Sequence, residues 1–325
     1  MKLLVTIDVE EEGLFSGKYL REESSASNVF ELDSLDSIFL ELNVRPTLLV
    51  SYQVAKKEEY LKKIFSLKDK WKAEIGAHLH HWNTPPIVFD SGPQPTPSEL
   101  MSTDILEAKT SSLFKSLSDG KSIPTSFRMG RFNLGPKMFR VLERMGVKVD
   151  SSVSPLRKSY GGPDHLIAPS DPYFPNSLNP LEKGKSSVLE APITILPIFK
   201  GVMNGIDLLS RIRVFPEKAT EWLAMNVASI AVQPAWVNLN VAKTGVRLHR
   251  SRGGECVTIF FHSSELAPGM NPLNPTKEAV QAFIKRLRTF TEWLQTKYQA
   301  QSYTLSELHP VYEQYRVTLK ENQKD

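Results

Sequence analysis

The sequence is poor in cysteine and in long apolar runs. It contains one cysteine, Cys256, among 325 residues. A single thiol cannot form an internal disulfide, so the composition does not indicate an oxidising compartment. No apolar run approaches the roughly 20 residues that a membrane-spanning helix requires, and the apolar stretch in MKLLVTIDVEEE is too short for a secretory signal. We therefore expect a cytoplasmic protein without a transmembrane segment, and peripheral association with the inner membrane is left as an open alternative.

Several nucleotide-binding and redox motifs are also missing. The sequence has no P-loop, no G-x-G-x-x-G and no C-x-x-C pair. It has no G-x-S-x-G elbow, which argues against a serine hydrolase built on Ser263 or Ser264. The 40 Lys and Arg residues nearly balance the 36 Asp and Glu residues and never form a dense basic tract. This charge pattern argues against nucleic acid and slightly favours an anionic partner, such as an acidic glycan or a phosphorylated carrier.

What the sequence does contain is an alternation of short apolar runs and amphipathic segments. The runs predict strands over residues 2–7, 47–50, 73–77, 126–128, 147–150, 188–195, 257–261 and 302–305. Helical spacing of apolar residues predicts helices over 32–42, 60–67, 105–117, 136–145 and 277–297. This order predicts an α/β fold with a parallel sheet. Residues with candidate chemistry end or follow these strands, which favours a barrel, because barrel enzymes carry their sites at the carboxyl ends of strands. They are Asp8, His78, Arg128, Asp150 and His262.

Two segments rich in Pro, Gly and Ser interrupt the alternation. Residues 83–99 are predicted to form a long loop beside a histidine cluster, and long loops in compact domains are often functional. Residues 154–186 are interpreted as an insertion that covers one face of the fold. The sequence has no internal repeat, and we expect a single domain over residues 1–325.

An acidic pair follows the first predicted strand. In extended Asp8-Val9-Glu10 the carboxylates of Asp8 and Glu10 project to one side and Val9 to the other. Two carboxylates that share a site repel each other unless a cation or a proton separates their titrations. Glu11 and Glu12 follow directly, so a solvated acidic turn is an equally compatible interpretation.

A histidine cluster follows the third predicted strand. Three of the seven histidines lie within four positions of Ala77-His78-Leu79-His80-His81-Trp82. His78 and His80 share a face in extended backbone, which suits two imidazoles on one metal. His81 joins them only if the strand ends and a turn brings it back. With one carboxylate, two histidines form a frequent ligand set that leaves positions open for water and substrate.

Two further residues end predicted strands. Arg128 is compatible with a surface ion pair and with a charge partner that keeps Asp8 ionised. His262 ends the apolar run Phe260-Phe261-His262 and fits a general acid for a leaving amine.

These motifs, in this order, resemble those of the polysaccharide deacetylase family, whose members have the NodB homology domain (carbohydrate esterase family 4). The resemblance extends from residue 3 to about residue 272. Its HLHxW and HSSEL forms look most like a subgroup associated with bacterial cell-surface polysaccharide or lipopolysaccharide synthesis. It is carried by LLVTIDVEE, RPTLLV, EIGAHLHHWNTPP, SFRMGRFNLG, VDSSVSP and TIFFHSSELAPGMNP.

The resemblance implies a single distorted (β/α) barrel with loop insertions. It also implies hydrolysis of N-acetyl groups on amino sugars with a divalent metal, often zinc. By position in the motifs, Asp8 is expected to be the catalytic base, with Arg128 orienting it. His262 is expected to be the acid, and His78 the first metal histidine.

The sequence departs from the family pattern at the remaining ligands. The usual second Asp is replaced by Val9, so Glu10 is the predicted carboxylate ligand. The usual second histidine lies four residues after the first, where this chain has Trp82. His80 is therefore the predicted substitute, and His81 is the alternative.

The expected function is metal-dependent removal of N-acetyl, or similar acyl, groups from amino sugars of a bacterial cell-surface polysaccharide or its precursor. Zinc is the expected cation, and Trp82 and Arg131 are expected to contact the sugar. Two alternatives stay open. One is a hydrolase of cyclic imides or ureides from the same superfamily, and the other is a glycan-binding member that has lost catalysis.

Overall fold

The computed structural model describes residues 1–17, 19–21, 23–88, 95–118, 123–158, 163–199 and 217–321, together with residues 201, 205 and 208. The strands are β1 (Lys2–Val9), β2 (Thr47–Ser51), β3 (Glu74–Leu79), β4 (Ser126–Met129), β5 (Val149–Asp150), β6 (Pro175–Asn176), β7 (Asn179–Lys183), β8 (Leu189–Glu190), β9 (Ile195–Pro197), β10 (Ser229–Ala231), β11 (Cys256–His262) and β12 (Gln301–Tyr303).

The α-helices alternate with these strands for much of the chain. They are α1 (Asp36–Phe39), α2 (Tyr52–Ala55), α3 (Glu58–Trp71), α4 (Thr103–Leu117), α5 (Pro136–Arg144), α6 (Glu217–Asn226), α7 (Leu239–Ser251), α8 (Lys277–Tyr298) and α9 (Leu305–Glu321). Short 3₁₀ segments cover Leu14–Ser16, Ser27–Leu35, Ser98–Leu100, Gly130–Phe132 and Ser263–Leu266.

Within the described residues, one sheet contains eight strands. Its order is β11-β1-β2-β3-β4-β5-β8, with β12 paired to the start of β1, and every pairing is parallel. Because all strands run the same way, their carboxyl ends lie at one end of the sheet. The chain after β8 reaches the opposite edge strand, where the N–H of Thr194 donates to the Thr258 carbonyl at 3.1 Å. The Gln233 side chain also bonds β11, through Thr258 and Phe260.

Alternation along the strands separates two buried layers. One set of side chains packs outward against the helices, including Val5 and Ile7 of β1, Ala77 and Leu79 of β3, Phe127 and Met129 of β4, and Ile259 and Phe261 of β11. The alternate positions therefore point to the interior of the curled sheet. In sequence order these interior positions include Asp8, His78, Arg128 and His262. Strands of a parallel sheet are expected to be buried on both faces, which explains why these runs are nearly continuously apolar.

Helix α8 illustrates how the helical layer forms. Apolar side chains recur every three or four residues and are buried, namely Val280, Phe283, Leu287, Phe290 and Leu294. The Thr276 hydroxyl caps the first turn by accepting from the Ala279 N–H. Cap and stripe together fix both the start of the helix and the face that covers the sheet.

The predicted distorted (β/α) barrel is confirmed, and most predicted strands and helices are present. The strand predicted over 188–195 is wrong as one element. Strand β8 ends at Glu190, and the chain resumes as β9, which pairs antiparallel with β10. Pro192 lies between them and lacks the N–H that a continuous ladder requires. Helices α2, α6, α7 and α9 were not predicted.

The two Pro- and Gly-rich segments are described only in part. Residues 89–94 of the predicted loop and 159–162 of the predicted insertion lie outside the described residues. The rest of 154–186 contains the β6–β7 hairpin, and the backbone of Tyr173 pairs with that of Glu190 on the sheet. Among the helices described, none combines the length and apolar character that crossing a membrane would demand.

Gly76 lies in β3, two residues before His78, where strands approach closely. A Cβ there would meet Ser126 Oγ at 2.4 Å and a Leu49 methyl at 2.8 Å. We predict that Gly76→Ala lowers the free energy of unfolding by about 1–3 kcal/mol, the usual cost of overpacking, as measured by urea denaturation. Gly205→Ala is the control, because a Cβ there meets no atom of the described residues within 4 Å. Equal stability of the two variants would contradict the prediction.

Candidate active site

The candidate site lies where the carboxyl ends of four strands meet. Asp8 of β1 is paired in register with His262 of β11, and His78 of β3 with Arg128 of β4. Strand β2 connects the two pairs by hydrogen bonding to both β1 and β3. The register therefore delivers four predicted site residues to one end of the sheet.

A possible cation site is formed by one carboxylate and two imidazoles. Glu10 Oε2 lies 3.2 Å from His78 Nε2 and 3.1 Å from His80 Nε2. All three side chains are buried, and their ligand atoms lie within 4.8 Å of one another. Among the His, Cys, Asp and Glu side chains of the described residues, these three cluster closely enough to hold a metal ion.

His81 points to a different place. Its Nε2 lies 2.6 Å from the carbonyl oxygen of Thr96, which can only accept a hydrogen bond, so Nε2 carries a proton. Burial lowers the pKa of His81 to about 4, and the side chain is therefore neutral. The structure thus brings His80, and not His81, to Glu10 and His78.

Each imidazole of the possible cation site is oriented by an acceptor on its far side. His78 Nδ1 lies 3.1 Å from the Arg128 carbonyl, and His80 Nδ1 lies 2.8 Å from Glu11 Oε1. A carbonyl and a carboxylate accept only, so both Nδ1 atoms carry protons and both Nε2 atoms are left to face Glu10. Outer acceptors of this kind are the usual means of fixing the tautomer and the ring of a metal-binding histidine.

Glu11 is a site residue that sequence reasoning missed. It is 2% exposed and accepts from Asn83 Nδ2 at 2.6 Å and from Ser51 Oγ at 3.1 Å, besides His80. Strand alternation from Asp8 and Glu10 placed Glu11 on the opposite face, but β1 ends at Val9 and alternation no longer applies. The run of three glutamates was the available signal, and it was equally compatible with a solvated turn.

Arg128 is buried completely and forms an ion pair with Asp8. Its Nη1 donates to Asp8 Oδ1 at 2.5 Å, and its Nε donates to the Ser151 carbonyl at 2.7 Å. Its Nη2 donates to Thr6 Oγ1 at 2.9 Å and to Ser151 Oγ at 2.8 Å. A buried charge requires such complete pairing. Of the two interpretations of Arg128, the surface ion pair is therefore excluded by burial.

His262 is paired with a second missed residue, Glu265. His262 Nδ1 lies 2.9 Å from Glu265 Oε1, and the Glu265 side chain is buried. His262 Nε2 lies 4.0 Å from Glu10 Oε1, so it faces the possible cation site. Burial opposes protonation of His262, but the carboxylates of Glu10 and Glu265 outweigh it and raise its pKa to about 9.

The buried carboxylates of the site favour a positive charge next to them. Burial opposes protonation of His80 as well, but the Glu11 and Glu10 carboxylates raise its pKa to about 10. The pKa of Glu10 is lowered by His262, His78 and His80 against the effect of its burial. Both Nε2 atoms that face Glu10 Oε2 need either a proton or a cation between them and that oxygen. A divalent cation satisfies the same requirement, and two imidazoles with a carboxylate are a donor set that zinc accepts.

Trp82 and Arg131 lie beside the possible cation site. The Trp82 indole stacks on His80 with ring centroids 4.3 Å apart and is 6% exposed. Tyr19 packs edge-on against Trp82, and the Arg131 guanidinium lies 4.7 Å from the Tyr19 ring centroid. Arg131 has a left-handed backbone with φ 59°, which non-glycine residues adopt rarely. A role in sugar binding stays a prediction for both Trp82 and Arg131.

Gly130 makes room for the His80 ring. A Cβ at Gly130 would lie 2.6 Å from His80 Cδ2 and 2.9 Å from the Leu79 carbonyl. The backbone after β4 therefore passes directly against the histidine, and only glycine permits this approach.

A second pair of carboxyl groups, Asp150 and Glu190, lies on β5 and β8, next to strand β4 that carries Arg128. Both side chains are fully buried and belong to neighbouring residues of β5 and β8. Asp150 accepts from Ser152 Oγ at 2.5 Å, and Glu190 Oε1 accepts from the Val153 N–H at 3.0 Å. Burial, together with the adjacent Asp150, raises the pKa of Glu190 well above its usual range. The protonated form of Glu190 is therefore favoured beside Asp150.

Comparisons with known proteins agree with the architecture. No protein-family model matches the sequence, and no curated protein matches it. A solved structure assigned as a glycoside hydrolase/deacetylase from Parabacteroides distasonis matches with a TM-score of 0.61 at 12% identity, over 96% of this chain and 71% of that chain. A 4-α-glucanotransferase from Thermococcus litoralis gives a TM-score of 0.50 at 12% identity, over 94% of this chain and 40% of that chain.

These likenesses confirm the fold that the resemblance to the polysaccharide deacetylases implied. The two solved proteins are named for different reactions although both share this fold. Fold alone therefore does not define the reaction, and the activity has to be argued from the side chains of the site.

We predict that Glu190→Gln makes stability less dependent on pH. Above the ordinary carboxyl pKa of 4.5, unfolding releases the Glu190 proton, so rising pH destabilises the native protein. Glutamine keeps the geometry, since its amide accepts from Val153 and donates to Asp150, but it has no proton to release. The variant should gain thermal stability relative to the wild type at pH 8 and less at pH 5.

The exposed Glu182→Gln is the matched control and should show the same pH dependence as the wild type. Differential scanning calorimetry at the two pH values measures the effect. A Glu190→Gln variant with an unchanged slope of melting temperature against pH would refute the raised pKa of Glu190.

Proposed function

We propose that this protein is a metal-dependent hydrolase that removes an N-acetyl, or similar, acyl group from an amino sugar of a bacterial cell-surface polysaccharide or its precursor. The observation that carries the proposal is the position of the Glu10–His78–His80 group. It lies between an aspartate held by a buried arginine and a histidine held by a buried glutamate. Asp8 Oδ2 is 3.7 Å from His78 Nε2 on one side, and His262 Nε2 is 4.0 Å from Glu10 on the other.

The residues that would hold the cation are Glu10, His78 and His80, and zinc is the proposed ion. When bound, a divalent cation supplies Lewis acidity toward the acyl carbonyl and toward the attacking water. Glu11 and the Arg128 carbonyl keep the two imidazoles aimed at Glu10.

Asp8 is the proposed general base. The Arg128 guanidinium occupies its Oδ1, which pairs the carboxylate with a positive charge and leaves Oδ2 directed at the His78 side of the site. Asp8 Oδ2 accepts a proton from the water while the water oxygen attacks the acyl carbon.

His262 is the proposed general acid. Its Nδ1 proton is held by Glu265, so the proton on Nε2 is the one available to the substrate. In the metal-free protein the carboxylates of Glu10 and Glu265 outweigh burial and raise the pKa of His262, which favours the form that carries this proton. It donates the proton to the nitrogen of the sugar amine as the carbon–nitrogen bond breaks, which leaves acetate and the free amino sugar.

We predict that Asp8→Asn reduces acetate release from N-acetylated oligosaccharides by about 100-fold or more, the usual contribution of a positioned base. The amide retains the shape and can still meet Arg128, but it cannot take a proton from water. Acetate is measured by a coupled enzymatic assay. Asp33→Asn is the control, because Asp33 pairs with Lys63 and Lys70 on the surface. Full activity of Asp8→Asn would contradict the assignment of the base.

Parallel assays of cyclic imide and ureide hydrolysis and of oligosaccharide binding separate the proposal from its two alternatives. Turnover of small cyclic imides or ureides, without turnover of acetylated amino sugars, would favour the imide hydrolase. Oligosaccharide binding by the wild type, without turnover of either class, would favour a glycan-binding protein.

We predict that His80→Ala abolishes zinc binding, whereas the adjacent His81→Ala retains it. His80 Nε2 faces Glu10, and His81 Nε2 is occupied by the Thr96 carbonyl. Zinc content after dialysis is measured by atomic emission, and circular dichroism checks that both variants fold. Loss of zinc from His81→Ala with retention in His80→Ala would reassign the second ligand.

A further inference from the structure

The turn that follows β1 carries an aromatic side chain to the candidate acid. Leu14–Ser16 lies between Gly13, with φ 90°, and Gly17, with φ 76°. Both glycines occupy the left-handed region, which other residues rarely adopt. The turn is closed by its own backbone, with the Gly17 N–H donating to the Leu14 carbonyl at 3.0 Å, and none of its residues is buried.

Glu12 anchors the start of this turn through both its carboxylate and its backbone. The Glu12 carboxylate accepts from the Ser27 N–H and the Ser27 hydroxyl, both at 2.7 Å, and from Ser25 Oγ at 3.1 Å. Its backbone N–H donates to the Ser25 carbonyl at 2.9 Å. Glu11, one residue earlier, is fixed behind His80. The place of Phe15 is therefore set by anchors three and four residues before it and not by burial of its own ring.

Phe15 reaches His262 from the solvent side. The two ring centroids are 4.9 Å apart at an interplanar angle of 77°, and Phe15 is 41% exposed. Phe260 contacts the same imidazole at 4.9 Å and 76°, but it is 1% exposed. His262 is thus held between a buried ring that belongs to the core and an accessible ring at the mouth of the site.

The proposed reaction determines what must lie beside Phe15. To protonate the leaving amine, His262 Nε2 has to come within hydrogen-bond reach of the amine nitrogen, about 3 Å. That nitrogen is attached directly to a carbon of the sugar ring, so the ring lies within a few ångströms of the imidazole and of the aromatic side chain against it. The C–H groups of a sugar face are apolar, and their contact with an aromatic ring removes apolar surface from water.

We propose that Phe15 is a specificity-determining residue whose ring forms the platform for the face of the sugar that carries the acylated amine. This inference rests on the proposed function and adds the residue that recognises the sugar. The contact exists both before and during the reaction, so it lowers KM and leaves kcat nearly unchanged.

The test is a comparison of Phe15→Ala, Phe15→Trp and Phe30→Ala in the zinc-loaded full-length protein, with N-acetylated chito-oligosaccharide as the probe. Phe30 is the matched control, since its ring is 47% exposed and packs edge-on against Tyr60 instead of the site. We expect Phe15→Ala to raise KM about five- to tenfold, the range of a single aromatic contact. Phe15→Trp and Phe30→Ala should keep the wild-type KM, and all three should keep zinc and the wild-type melting temperature.

Two outcomes overturn the platform while leaving the proposed function intact. One is an active Phe15→Ala with the same KM as Phe30→Ala. The other is a loss of kcat at unchanged KM, which would mean that Phe15 acts through His262. If the zinc-loaded wild type releases no acetate from this probe or from other acetylated amino sugars, the proposed function fails, and this inference fails with it.

Discussion

The guanidinium of Arg128 joins three parts of the barrel at one point. It donates to Asp8 and Thr6 of β1 and to the hydroxyl and carbonyl of Ser151, directly after β5, while it belongs to β4 itself. Because the charge is fully buried, its removal from water is offset only when these bonds are all made. The carboxyl ends of the strands are therefore held at fixed relative positions, and Asp8 is held with them. The backbone carbonyl of Arg128 meanwhile orients His78, so one residue positions both the candidate base and a candidate ligand.

Around this ion pair, glutamates orient two of the imidazoles by pairing with the Nδ1 atom of each ring. His80 has Glu11 and His262 has Glu265, each less than 3 Å from the Nδ1 atom. With Asp8 and Glu10 the site holds four carboxylates, of which Asp8 is paired with the Arg128 guanidinium. The resulting excess of negative charge explains why the pKa values of His80 and His262 rise despite burial, and it is the reason that a divalent cation suits the center of the group. Burial and the adjacent Asp150 raise the pKa of Glu190, which disfavours two further negative charges at the Asp150–Glu190 pair.

The barrel itself is compatible with more than one chemistry, as the two structural neighbours illustrate. What distinguishes this chain lies in the segments after the strands. The Glu10–Glu12 run supplies a candidate ligand, an outer acceptor and a loop anchor in three consecutive residues. The turn after it brings Phe15 to His262, and the glycine at position 130 allows the backbone to pass against His80. Function on this scaffold depends on how short connections leave the sheet.

Local pattern was sufficient for most strands of the eight-stranded sheet and for the residues inside them. Periods of two place Asp8, His78, Arg128 and His262 on the interior face without knowledge of their neighbours, and the all-parallel order brings their ends together. The same reasoning chose His80 over His81, because alternation continues just far enough beyond Leu79. The apolar pattern did not predict that residues 188–195 are divided between two strands, although Pro192 was a local signal for a break.

The remaining features depend on contacts between residues far apart in the chain, and only the tertiary structure decided them. Glu11 becomes buried because Ser51 and Asn83 converge on it from β2 and from the turn after the histidines. The pKa of Glu190 is raised because the residue is buried and because β8 pairs beside β5, which places it next to Asp150, 40 residues earlier in the sequence. Phe15 meets His262 because β1 and β11 are neighbours. Sequence periodicity reports the side of an element on which a residue lies, whereas burial, charge state and partner are set by what the fold places opposite it.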